Sequence, residues 1–206
     1  ENRLKMDLPS GWQWARVREV AEARLGKMLD KGKDRGQEYP YLRNTNVHWF
    51  DIRMDEIKTM LLSDEEARDF LLADGDVLIC EGGHGIARAA VWRDRTPRMV
   101  FQKALHRVRP GVALDSEFFT FCVSVYFQAG VLQRLFTGVG IPHFTGIALS
   151  KLVFPLPPLA EQRRIVAKVH GLMVLCNQLE ARVVAAAADQ AKLLDSLLLE
   201  VLSPAT

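Results

Sequence analysis

Glycine and proline nearly vanish after residue 158. The 206-residue chain holds 14 glycines and nine prolines, and only Gly171 and Pro204 lie beyond Pro158. Turns and loops draw on both residue types, and long helices exclude them. The first 158 residues therefore read as a loop-rich mixed domain and 159–206 as helix. Within the tail, Ile165, Val169, Leu172, Cys176, Leu179, Val183, Ala186, Leu193 and Leu197 recur at alternating steps of four and three, with Gln190 as the polar member of the seam. That is a heptad stripe sustained over four heptads, the pattern of a coiled coil. A helix over 160–202 would run about 64 Å at 1.5 Å per residue, longer than a domain of this size is wide. Its own domain cannot cover such a stripe, so the spacing predicts pairing with a second helix, self-association included. Gln190 then sets the register, because a buried polar group penalises misaligned pairing. The alternative is two shorter helices broken at Gly171 and folded back on the domain.

The front domain reads as α+β. Strand-like runs fall at Trp14–Val17, Tyr39–Arg43, Ile57–Leu62, Val77–Cys80, Ile86–Trp92, Met99–Val108 and Leu152–Phe154. Ser63-Asp-Glu-Glu66 forms a capping box that opens a helix to about Leu72, and Asp115 caps a second from Glu117 to about Gln128, continuing toward Phe136. Too few strand–helix–strand alternations occur for a doubly wound sheet. Hydrophobic residues at 49 % and charged residues at 25 % are ordinary globular values, which exclude intrinsic disorder. Cys80, Cys122 and Cys176 form no CxxC or Cys/His cluster. That argues against structural zinc and for reduced thiols in a cytoplasmic setting. The start, ENRLKMDLPSGW, has no apolar core of a signal peptide, and no run approaches the ~20 apolar residues of a bilayer span. The expectation is no membrane partner. The chain opens on Glu1 rather than Met, which suggests a piece of a longer protein, with a natural half-length chain that must dimerise as the alternative.

The formal charge of +2 hides its distribution. Residues 1–50 are net +3, 51–76 net −6 and 81–109 net +5, while 110–158 and 159–206 are neutral. Lys27, Lys31, Lys33 and Arg35 sit in a glycine-punctuated segment, GKMLDKGKDRG, suited to phosphate contacts. The second basic stretch carries Arg88, Arg93, Arg95, Arg98, Lys103, Arg107 and Arg109. Arginine binds guanine O6/N7 and asparagine binds adenine N6/N7 in the major groove. Arg43, Asn44 and Asn46 at a strand end, Arg88, Arg93 and Arg95, His84 in EGGHG and His143 in GIPHF are therefore the candidate DNA contacts. For each, the structural alternative is a solvated surface side chain.

No catalytic constellation is present in the sequence. The pair Pro157-Pro158 sits in LPPL, without the amide and aromatic of a DNA adenine methyltransferase tetrad. Glu56-Ile57-Lys58 is half of a nuclease motif with no matching Pro-Asp, and neither GxxxxGK[ST] nor GxSxG occurs. Two rival classes stay open: an oligomerisation adaptor built around the coiled coil, and a DNA-modifying enzyme with an unrecognised site.

Residues 155–165, PLPPLAEQRRI, carry the most information. The prolines end a strand and preset a helix start, and Glu161 complements the dipole of its first turn. With Leu8-Pro9-Ser10-Gly11-Trp12, Tyr41-Leu42-Arg43-Asn44 and the LxxGDVLI element at Leu72–Ile79, this segment resembles the DNA-specificity (S) subunits of type I restriction–modification systems. The resemblance covers nearly the whole chain. It implies a target recognition domain over 1–158 and a conserved spacer helix over 159–206, one repeat where the family usually carries two. It implies a non-catalytic protein that reads one half of a bipartite site in double-stranded DNA. Methyltransferase (M) subunits would dock on the helix scaffold and bring S-adenosylmethionine, and a restriction (R) subunit would bring ATP- and Mg-dependent cleavage. No cofactor or metal is expected on this chain itself.

Overall fold

The computed structural model describes residues 4, 6–30, 35–93 and 96–202. In chain order these form β1 (Gln13–Arg16), the single turn α1 (Val17–Val20), β2 (Ala21–Leu25), β3 (Gln37–Leu42), β4 (Val47–His48), β5 (Asp51–Ile52) and β6 (Lys58–Leu62). They continue with α2 (Asp64–Phe70), β7 (Val77–Cys80), β8 (Ala89–Val91), β9 (Val100–Phe101) and β10 (Leu105–Pro110). The last elements are α3 (Ser116–Gln128), α4 (Gly146–Ser150), β11 (Val153–Leu156) and α5 (Leu159–Leu202). The expected α+β class holds: several small sheets precede one long terminal helix. Two compact units separate at Arg163/Arg164, so the first turn of α5 belongs to the front unit.

A four-stranded antiparallel sheet, β2-β10-β7-β8, is the centre of the front unit. All four residues of β7 are buried, as its unbroken apolar run requires of a strand covered on both faces. A three-stranded sheet, β6-β3-β9, packs Tyr39, Tyr41, Met60, Leu62 and Val100 into a second cluster beside it. The stretch expected as one strand over Met99–Val108 is two. A turn at Lys103-Ala104, in which the Gln102 carbonyl accepts from Ala104 N and Leu105 N, sends β9 parallel to β3 and β10 antiparallel to β7. Ile86–Trp92 likewise shortens to β8, because Ile86 and Ala87, the latter at φ +64°, still belong to the turn. The helix after Asp115 stops at Gln128, where Gly130 turns at φ +72°. Ser63 caps α2 as expected: its Oγ accepts from Glu66 N, and the Glu66 carboxylate accepts from Ser63 N.

Both ends of the front unit are tied together. β1 pairs antiparallel with β11, from Gln13 against Leu156 to Arg16 against Val153. Gln162, fully buried in the first turns of α5, makes three 2.8 Å hydrogen bonds: its Oε1 accepts from Asp115 N, and its Nε2 donates to the Ala113 and Pro157 carbonyls. The glutamine of the PLPPLAEQ segment thus fastens the start of α5 to the N-cap of α3.

Helix α5 runs 44 residues without a break at Gly171. From Gly171 to Leu198 every residue is exposed, Leu172, Leu179, Val183, Leu193 and Leu197 of the seam included, while Ile165 and Val169 are half-buried. By length and composition alone the helix could cross a membrane, contrary to the sequence expectation. Lys168, Glu180, Arg182, Asp189, Lys192 and Asp195 punctuate it, however, and ionised groups at such intervals fit a water-facing coiled coil better than hydrocarbon.

Replacing Gln162 with Glu keeps the shape but removes both donated bonds and buries a charge. Unfolding in urea should show a loss of roughly 3 kcal/mol for the front unit, with Gln162→Ala similar. A change under about 0.5 kcal/mol, the range of an ordinary surface substitution, would mean the clamp is dispensable.

Candidate nucleic-acid interface

Among the described residues, most of the sequence-nominated cations are already partnered. Lys27 Nζ lies 2.7 Å from Glu66 Oε1 and holds that carboxyl below its usual range. Arg43 donates to the Glu56 backbone carbonyl at 2.9 Å and reaches its carboxylate at 3.4 Å. Arg93 pairs with Glu117 and with Asp74. Arg98 stacks over the Tyr39 ring at 4.4 Å and bonds the Tyr39 hydroxyl and Gln37. Arg107 is buried between Glu22, at 2.7 Å, and the Asp69 and Leu71 carbonyls. Arg109 makes a two-pronged pair at 2.7 and 2.8 Å with Asp76, whose own burial demands it. Asn46 is buried and spends its amide on Arg43 N, Arg53 O and Asp55 O, so it shapes the β3–β4 link rather than facing a ligand. Arg35 is exposed. Lys31, Lys33 and Arg95 lie outside the described residues.

The acidic stretch 51–76 thereby finds its use. Glu56, Glu66, Asp69, Asp74 and Asp76 each meet an arginine or lysine of the front unit. This internal neutralisation is not legible in the charge count of the segment, because most of the partners lie far away along the chain.

Among the candidates whose side chains are described, three remain unspent, and the fold places them at one loop. The loop 81–88 at the tip of the β7–β8 hairpin is closed by Cys80 N to Arg88 O and Ala87 N to Cys80 O, both 2.9 Å. Ala87 sits at φ +64° although fully buried, a left-handed conformation that costs a non-glycine residue free energy and often marks a functional loop. His143 crosses this loop by a bridge to Gly82, with its Nδ1 3.0 Å from the point where any Gly82 side chain would begin. Asn44 Nδ2 lies 3.5 Å from the corresponding point on Gly83, and Arg88 Cδ 3.1 Å from that on Gly85. His84 occupies the backbone between them. Among the described residues, the side chains of Asn44, Arg88 and His143 have no hydrogen-bond or ion-pair partner, and all three are half-buried or exposed. A cation, an amide and an imidazole converging on a glycine loop offer the donors and acceptors that read base edges. Among the described residues no group of three His, Cys, Asp or Glu could hold a metal ion.

The platform beneath is buried and hydrogen-bonded on both sides. Phe144 is fully buried, its N donates to Glu81 O at 2.7 Å, and its carbonyl accepts from His106 Nε2 at 2.8 Å. Burial lowers the His106 pKa, and its Nδ1 has no partner. Burial also pushes the Cys80 and Cys122 thiols up to about 12, which keeps both unreactive.

The chain belongs to the type I restriction–modification DNA specificity domain family, whose description matches residues 9–186. It is 25 % identical over 200 residues, 93 % of its length, to the type I restriction enzyme EcoAI specificity subunit of Escherichia coli. It is 22 % identical over 207 residues to the EcoEI specificity subunit of the same organism. It spans about a third of those relatives, 33 % and 35 % of their lengths. Its fold matches a chain from a solved type I R-M system assembly with a TM-score of 0.65, 21 % identity, and coverage of 92 % of this chain and 45 % of that one. It also matches the HsdS subunit of Thermoanaerobacter tengcongensis with a TM-score of 0.59, 21 % identity, and coverage of 83 % and 39 %.

His106 makes the platform pH-sensitive. A base whose pKa is lowered on folding binds fewer protons in the native state, so stability falls as pH drops below the unfolded value of 6.5. Urea midpoints should decline from pH 6.5 toward about pH 5 in the wild type, and that decline should flatten in His106→Gln. An equal slope in both proteins would assign the acid sensitivity elsewhere. Separately, Gly82→Val should displace His143 and weaken DNA binding without lowering the melting temperature by more than a few degrees.

Proposed function

We propose that this chain is the sequence-reading half of a type I specificity subunit, contacting one part of a bipartite double-stranded DNA target through the face around Gly82–Gly85. The observation that carries this reading is the approach of Asn44 and His143, from two distant segments, to the glycine loop that itself holds Arg88, in a member of a DNA-specificity family. The adaptor alternative gives no reason for that convergence.

In this reading the exposed seam of α5 pairs with a second helix of the same kind. Cations cluster near the start of the helix, at Arg163, Arg164 and Lys168, and carboxylates toward its end, at Asp189 and Asp195. An antiparallel partner sets Lys168 against Asp195 and Glu180 against Arg182, whereas a parallel one aligns like charges. Methyltransferase subunits dock on this scaffold and carry S-adenosylmethionine. A restriction subunit, with ATP and Mg, joins through the complex, and the setting is the cytoplasm. The chain itself performs no chemistry.

Fluorescence anisotropy on the chain assembled with its methyltransferase subunits tests the reading. A duplex carrying the motif methylated in the host genome should bind at least ~100-fold tighter than a scrambled duplex. Log affinity should fall with log salt by about 0.9 per neutralised phosphate. Equal affinity for both duplexes would refute the assignment. In light scattering at tens of micromolar the chain alone should be a dimer, and Leu172→Asp with Leu179→Asp should render it monomeric with the front unit still folded. A strict wild-type monomer would remove the helix-pairing half of the proposal.

A further inference from the structure

The segment 137–143 is a hairpin rooted in the platform, and its tip is apolar. Thr137 N donates to His143 O at 2.9 Å and His143 N to Thr137 O at 2.7 Å. Gly138 turns at φ +104°, and any side chain on it would begin 2.4 Å from Ile141 O, so only glycine fits this tight crossing. At the root, Phe136 packs on buried Phe144 with ring centroids 5.8 Å apart, and the Phe144 backbone is bonded on both sides, to Glu81 and to His106. Above this root, Val139 is fully exposed, Ile141 is 64 % exposed and Pro142 is exposed. The paired feet hold these side chains off the core. They stand one to four residues from His143, beside the unspent polar cluster.

We infer that Val139, Ile141 and Pro142 form an apolar wedge that enters the base stack of the bound duplex while Asn44, Arg88 and His143 engage the adjoining base edges. The inference rests on the DNA-reading function proposed above. Proteins that insert isoleucine, leucine or proline between base steps partly unstack them and kink the helix, and the bend lets more protein surface reach the DNA. Unstacking costs a few kcal/mol, and a mobile loop would add the entropy of its own ordering to that cost. A hairpin fixed at both feet delivers the wedge already ordered. Deformability of the step under the wedge then contributes to sequence choice without any hydrogen bond to it. A protein partner would call for a broader apolar patch, whereas this tip is narrow and adjoins the candidate base readers.

The test uses the complex with its methyltransferase subunits and a target duplex end-labelled with a donor–acceptor pair, with 2-aminopurine placed at successive steps. Wild type should raise energy transfer and brighten 2-aminopurine at one or two adjacent steps. Val139→Ser with Ile141→Ser should lose both signals and bind at least about tenfold more weakly. Val139→Ile with Ile141→Leu should restore them. Because both positions are exposed, circular dichroism melts should match wild type. If the serine variant bends and unstacks the duplex as wild type does, the wedge is refuted. It is equally refuted if that variant loses its signals because it no longer assembles with the methyltransferase subunits, which gel filtration of the complex would show and which would make the tip a protein contact. Failure of the wild-type complex to prefer the target duplex would instead refute the DNA-reading function itself.

Discussion

The buried side chain of Gln162 is the joint on which this architecture depends. It satisfies Asp115 N, Ala113 O and Pro157 O together, and so joins the cap of α3, the end of β11 and the start of α5. β11 in turn pairs with β1, so the first and last strands of the front unit lie side by side. The two sequence segments that most clearly mark the family, around Leu8–Trp12 and Pro155–Ile165, are therefore one structural device. Each needs the other: without the β1–β11 ladder the prolines at 157 and 158 would leave the helix start unanchored, and without Gln162 the backbone groups of Ala113, Asp115 and Pro157 would lose this side-chain partner.

Electrostatics then decides which surface is free to meet DNA. A count of cations overstated the basic character, because the fold spends Lys27, Arg43, Arg93, Arg107 and Arg109 on its own carboxylates. Asp76 is 1 % exposed, and Arg109 and Ala73 N neutralise and bond it at the turn into β7. Arg88 stands at the opposite end of the same β7–β8 hairpin with no such partner among the described residues. One hairpin thus has a closed electrostatic end and an open one, and the open end carries the strained Ala87, the glycine loop and the approach of His143.

The legible features were local ones. The four-three spacing gave α5, the Ser63 box gave α2, Asp115 gave α3, and the unbroken apolar run at Val77–Cys80 gave a central strand. Strands β2, β4 and β5 escaped because their residues form no apolar run: β2 reads AEARL and is only half-buried, held by its pairing with β10 rather than by its own pattern. The split at Lys103-Ala104 escaped because no glycine, proline or asparagine marks it. Its turn is set by a tertiary bond from Lys103 N to the Lys27 carbonyl and by the local bonds that the Gln102 carbonyl accepts. Candidate site residues were nominated by type, and type alone cannot separate Asn44 from Asn46. Two positions apart, one points its amide at an open loop and the other is enclosed by three backbone groups.

The central claim is that DNA is read at the open end of the β7–β8 hairpin. Hydrogen–deuterium exchange on the assembled complex, with and without the target duplex, addresses it directly. The account predicts new protection concentrated in 43–46, 81–88 and 137–143, with β10 and α2 unchanged. Protection confined to a different face, such as the open cleft lined by Arg18–Glu22 and Arg109–Ala113, with 81–88 and 137–143 exchanging as in the free complex, would contradict it.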